Sequence, residues 1–204
     1  MEQLLVEIKD YLIESYDCHT IILYGSYSSG DYTEESDIDL LCFAERTAEK
    51  NDVAYFNGKQ LDVWVYGSEK LKQPDQFLRV NGGKVLLDQK GLAGEFLHEV
   101  EQLYQKGPVQ MPEEEKSFLK SWLWKMYRRS QKGDLEGNYR LHWMLKDALE
   151  LYFEFKGEWF RGPKKSFLWL EEHDSEAYER FATVYQPGAG EEEVEALLRY
   201  LERL

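Results

Sequence analysis

Two aspartates, Asp37 and Asp39, flank Ile38 and follow a Gly25-Ser26 pair after ten intervening residues. In an extended strand, residues two apart share a face, so Ile38 turns to a core while both carboxylates point the other way. Two ionised carboxylates side by side repel each other, and a cation between them relieves the repulsion. Hard oxygen donors select Mg²⁺, which typically accompanies a triphosphate. A third acid, Asp62, sits in Leu61-Asp62-Val63-Trp64-Val65-Tyr66. There Leu61, Val63 and Val65 alternate with Asp62, Trp64 and Tyr66. An acid facing Asp37 and Asp39 from a neighbouring strand would complete a two-metal cluster. Gly25 has no Cβ, which lets backbone approach a ligand closely. Ser26 adds a hydroxyl, and a helix starting there would aim backbone N–H groups at an anion.

The surrounding pattern supplies elements to carry these residues. Leu4, Leu5, Ile8, Leu12 and Ile13 recur at helical spacing, predicting a helix over 2–16. Thr20 to Tyr24 reads as a strand ending at Gly25, and Ile38 to Phe43 as a second. Asp52 to Phe56 and Gln60 to Tyr66 read as a hairpin, because Asn57-Gly58 favours a tight turn with positive φ at both central residues. A short strand at Lys84 to Asp88 and a helix over Leu92 to Tyr104 follow. Gly107-Pro108-Val109-Gln110-Met111-Pro112 cannot continue a helix and reads as a linker. Beyond it helical periodicity takes over, with segments near 113–132, 137–156, 164–172, 174–185 and 191–203. The organisation predicted is a mixed α and β domain over 1–107 and a helical bundle over 108–204.

Composition narrows the function classes. The 204 residues carry 25 basic and 39 acidic groups, a net charge of −14, which argues against general affinity for nucleic-acid backbone. The charge is uneven: residues 1–110 hold 10 basic and 20 acidic groups, and residues 116–165 hold 12 and 6. A basic segment in an acidic chain suits a small anionic ligand. No apolar run approaches the roughly 20 residues of a membrane span. The N-terminus lacks the basic and apolar regions of a signal peptide. Cys18 and Cys42 form no disulfide framework and read as buried thiols of a reduced, cytoplasmic chain.

Gly25-Ser26, Asp37-Ile38-Asp39 and the later Asp62 resemble the signature of the nucleotidyltransferase superfamily that includes DNA polymerase β. Gly30-Asp31 and Ser36-Asp37-Ile38-Asp39-Leu40-Leu41 are further similar to the bacterial small nucleotidyltransferases of the aminoglycoside and lincosamide type. The resemblance covers about 20–90 and is loose beyond the linker. It implies an α+β fold, with a mixed sheet, flanking helices and then an all-α bundle. It implies that Gly25 and Ser26 hold the β- and γ-phosphates and that Asp37, Asp39 and Asp62 hold two Mg²⁺. It implies transfer of a nucleoside monophosphate, AMP from ATP, to a hydroxyl of a small aminoglycoside-like molecule. Two alternatives are an adenylyltransferase that modifies a partner protein, in the manner of an antitoxin, and a nucleotide-binding module without catalysis.

The remaining parts fall to the helical segment. His142, Lys146 and Glu150 recur at i, i+4 and i+8 as a polar stripe. Glu150 is placed to take the acceptor's proton and Lys146 to contact phosphate. Asp147 and Glu154 are rivals for the base, and Lys164-Lys165 for the phosphate. With no basic cluster near Gly25-Ser26, the bundle is expected to supply the cations. Residues 1–107 alone are expected to fold poorly. Five tryptophans, Trp122, Trp124, Trp143, Trp159 and Trp169, lie in this half, some of them core and any of them able to stack on a ring.

Overall fold

The computed structural model describes residues 2–45 and 48–204. The chain divides into two compact units, Met1–Lys106 and Gly107–Leu204. The first is α+β. Its elements run α1 (Glu2–Tyr16), β1 (Cys18–Tyr24), α2 (Gly25–Ser29), β2 (Ile38–Ala44), β3 (Lys50–Phe56), β4 (Lys59–Gly67), β5 (Lys84–Asp88) and α3 (Ala93–Lys106). Two 3₁₀ segments, Ser68–Lys72 and Pro74–Val80, join β4 to β5.

The sheet order is β3-β4-β2-β1-β5. Only β2 and β4 run parallel; every other neighbouring pair is antiparallel. The period-2 pattern explains both faces. Ile21, Leu23, Ile38, Leu40, Cys42, Leu61, Val63 and Val65 turn to one side and bury against Ile8 and Leu12 of α1. Ile22, Tyr24, Leu41, Phe43 and Tyr66 turn to the other, against Phe77, Val80, Phe96 and Val100. Phe43 meets Phe96 and Phe77 edge-on at centroid distances of 5.3 and 5.7 Å. The hairpin turn is as the sequence requires: Asn57 and Gly58 have φ of 48° and 80°. Both cysteines are free and buried.

The second unit is helical: α4 (Glu113–Ser130), α5 (Leu135–Lys156), α6 (Gly162–His173), α7 (Ser175–Val184) and α8 (Glu191–Glu202). Its own core gathers around α5, where Met144, Leu145, Ala148, Leu149, Leu151, Tyr152, Phe153 and Phe155 are all buried. Asp134 caps α5, its carboxylate accepting from Gly137 N at 2.7 Å. Asp174 caps α7 through Ala177 N at 3.1 Å, and its second oxygen accepts from the hydroxyls of Tyr152 at 2.7 Å and Tyr200 at 2.6 Å. One carboxylate thereby ties α5, α7 and α8 together. Among the described residues, no helix is long and apolar enough to cross a membrane.

Candidate functional site

The parallel pairing of β2 with β4 decides which acids meet. Its register sets Asp39 opposite Asp62, Leu40 opposite Val63 and Leu41 opposite Trp64. Because Leu40 and Val63 face the α1 core, Asp39 and Asp62 share the other face. Asp37 stands differently. β2 begins at Ile38, so Asp37 lies on the approach to the strand and the strand argument reaches only Asp39. No group of three His, Cys, Asp or Glu side chains converges as a metal cage among the described residues.

Three neighbours shape the carboxylate pair. Gly25, at φ 66°, lies against Asp39, and a Cβ there would collide with the Asp39 carboxylate Oδ2. The residue is glycine both for its backbone conformation and for the room it leaves the acid. Asn51 of β3 donates its side-chain amide to Asp62 Oδ1 at 2.6 Å, which fixes that carboxylate's orientation. Tyr24 is the register partner of Asp39 across β1. Its hydroxyl is pushed up to about 12, chiefly by burial; Arg79 opposes the rise, and the charges of Asp39 and Asp62 add to it.

Arg79 is the residue that sequence reasoning missed. It sits in the 3₁₀ segment Pro74–Val80, where no periodicity announces it. Its guanidinium donates to the Tyr66 hydroxyl at 3.2 Å and lies 5.4 Å from the Trp64 ring centroid. Trp64 follows Asp62 by two on the same strand face. A cation therefore stands on the carboxylate side of the sheet, and the first unit does not lack one. Only its place after a Pro-initiated turn beside two aromatic strand residues could have marked it.

The loop from α2 to β2 is tied down locally. Gly30 N bonds Ser26 O at 2.8 Å, and Ser28 Oγ donates to Gly82 O at 2.8 Å. Tyr27 and Tyr32 stack at 4.3 Å. Thr33 N donates to Ser36 Oγ at 2.9 Å, and Lys59 Nζ to Glu34 O at 2.9 Å. These contacts bracket the segment that ends at Asp37.

The donor set fits a divalent cation. Two carboxylates are register partners on adjacent strands, one steered by an amide, the other backed by a glycine. Repulsion between such neighbours is relieved by a hard cation, and carboxylate oxygens are the ligands Mg²⁺ takes. Asp37, one residue before β2, is the acid that the sequence reading adds to them as a third ligand.

Within the helical unit, Lys146 and Glu150 form an ion pair at 3.4 Å, with Asp147 as the lysine's second partner at 3.4 Å. Both line the mouth of a cavity of about 560 Å³ between α5, α6 and α7. Of the rival bases, Glu154 faces a second cavity of about 440 Å³ together with Glu115 and Trp159. Partial burial holds its carboxyl above the usual range, and Glu150 and Glu115 add to the effect. His142 is exposed, as are Lys164 and Lys165 in the first turn of α6. Trp122, Trp124 and Trp169 pack against the bundle core, whereas Trp143 is exposed.

A family model described as a nucleotidyltransferase domain matches residues 5–123. Among solved structures, a nucleotidyltransferase-like protein from Exiguobacterium sibiricum 255-15 is similar at 15% identity and a TM-score of 0.43. That match covers 100% of this chain and 73% of the other. No curated protein matches the chain.

Proposed function

We propose, from the premise that the chain belongs to the nucleotidyltransferase domain family, that it transfers a nucleoside monophosphate from a triphosphate, ATP in the first instance, to a hydroxyl of a small molecule. The observation that carries this reading is the register of Asp39 opposite Asp62, with Gly25 against Asp39. Domains of this family use a nucleoside triphosphate and a divalent metal. Two Mg²⁺ held by Asp37, Asp39 and Asp62 would neutralise the triphosphate and lower the pKa of the acceptor hydroxyl.

The chain's own residues do the rest. Gly25 keeps the space beside Asp39 open, and Ser26 offers its hydroxyl to the outer phosphates. Asn51 holds Asp62 in one orientation, so the carboxylate does not have to be ordered at the moment of reaction. Arg79, fixed by the Tyr66 hydroxyl and the Trp64 ring, is a preorganised cation for the leaving phosphate. The acceptor oxygen forms a bond to the α-phosphorus, and the bond from that phosphorus to the bridging oxygen breaks. Pyrophosphate leaves with the electron pair. The hydroxyl proton passes to a general base; Glu150, paired with Lys146 at 3.4 Å within the helical unit, is the residue whose replacement tests that role.

The test is pyrophosphate release by the full chain with Mg²⁺ and each common nucleoside triphosphate, against an acceptor panel, with mass spectrometry of the product. A product heavier by one nucleoside monophosphate supports the reading. Labelling of a protein alone would move the acceptor to the macromolecular class. No binding of any Mg²⁺-nucleotide would overturn it.

A further inference from the structure

The cavity that Lys146 and Glu150 border has a chemistry of its own. Its walls are Leu149, Phe160, Phe167, Tyr178, Ala182 and Tyr185, contributed by α5, α6, α7 and the turn before α6. At about 560 Å³ it lies in the range that holds a drug-sized molecule. The Tyr185 hydroxyl is already committed, donating to Leu145 O at 2.8 Å. The charged groups on its lining are Lys146 and Glu150, which pair with each other and sum to zero. Gln186 adds one neutral amide at the rim.

These facts discriminate between ligand classes. A polycationic aminosugar brings several ammonium groups, and beyond Glu150 the lining offers them no carboxylate. Burying a charge without a partner costs several kcal/mol. Here one carboxylate is present and a lysine occupies it. An apolar ring system, in contrast, gains from every contact with these walls, at about 25 cal/mol per Å² removed from water. Its hydroxyl would donate to the Glu150 carboxylate on the lining. We infer that this cavity receives an uncharged, apolar-bodied alcohol or phenol rather than a polycationic aminosugar. As a binding site within the helical unit, it stands apart from the transfer reading above.

The full chain without nucleotide is titrated calorimetrically with 1-naphthol, estradiol and menthol, and with tobramycin as the polycation. At least one of the three alcohols should bind in the micromolar range, and tobramycin should not. Ala182→Trp fills the cavity from α7 and should weaken that binding at least tenfold. Gln186→Trp at the exposed rim serves if the first variant is not folded by circular dichroism. Mg²⁺-ATP affinity, measured in parallel, should stay within twofold. The proposal is overturned if none of the alcohols binds, if tobramycin binds and they do not, or if neither variant weakens binding. The transfer reading fails separately. If the alcohols bind and respond to the variants, yet Mg²⁺-nucleotide never binds, the cavity stands and the transferase does not.

Discussion

At the scale of single residues, the site rests on two acids whose places differ. Asp62 is steered by Asn51, and Asp39 is backed by Gly25. Replacing either acid with asparagine keeps the shape and removes a negative ligand. Asp39→Asn and Asp62→Asn should each lower turnover by about 10³, the several kcal/mol that metal charge stabilisation supplies. The metal-free protein should be no less stable, because the two carboxylates no longer repel. Thermal midpoints with and without Mg²⁺-nucleotide check this: Asp39→Asn should lose the ligand-induced rise. Asp62→Asn should keep nucleotide affinity within about tenfold, roughly 1.4 kcal/mol, if it serves the acceptor side. Equal losses of affinity and turnover would put Asp62 on the triphosphate. Glu150 belongs to the same scale. Glu150→Gln should cut turnover by about 10² to 10⁴ with little change in melting temperature. Normal turnover in Glu150→Gln together with a deep loss in Glu154→Gln would transfer the role to Glu154, whose carboxyl is already held above the usual range.

At the scale of elements, Asp174 makes a pH-dependent prediction. Burial works against its charge, but the hydroxyls of Tyr200 and Tyr152, the Ala177 N–H and Lys156 outweigh it and hold the carboxyl below the usual aspartate range. A depressed folded pKa means the stabilisation is complete above the unfolded value and disappears as pH falls through the folded one. Asp174→Asn should therefore cost about 1–2 kcal/mol near neutral pH, and the gap to the parent should close in acid. Chemical denaturation at a series of pH values measures it; a gap that does not narrow as pH falls through the acid range would contradict the assignment. This network also shows what a sequence can and cannot disclose. The helix start at Asp174 is legible, since an acid before a helical run is a cap. Its partners Tyr152 and Tyr200 are not, because they come from two other helices. The same contrast governs the sheet. Asn57-Gly58 fixes the β3–β4 hairpin locally, and Asp62's face follows from alternation. That β4 lies beside β2 in parallel, with Asp39 facing Asp62, depends on a pairing no local pattern encodes. Asp37 shares the face of Asp39 only if the strand reaches it, and β2 begins at Ile38, where the sequence pattern also starts it. Arg79 stayed hidden because a 3₁₀ segment has no amphipathic period to place it.

At the scale of the molecule, the cores are distinct. Residues buried around the sheet and residues buried around α5 form separate clusters, each within its own unit. The expectation that 1–107 folds poorly alone came from the cations the bundle was to supply, and it is a question these clusters put to experiment. Domains of about 100 residues with their own cores are commonly self-sufficient. Fragments 1–106 and 107–204 should each give a cooperative thermal transition by circular dichroism, and a fragment without one would restore the dependence. The parallel β2–β4 pair has a further consequence, in time rather than in space. The β3–β4 hairpin closes across two turn residues, a matter of microseconds. The β2–β4 ladder must wait until that whole hairpin is formed and folded back, and non-local pairings are the slow steps of folding. Asp39 and Asp62 therefore become neighbours only when that ladder forms. In a refolding experiment the far-ultraviolet signal should return before the capacity to bind Mg²⁺-nucleotide. A newly made chain would pass through an interval in which it has its secondary structure and lacks its metal site.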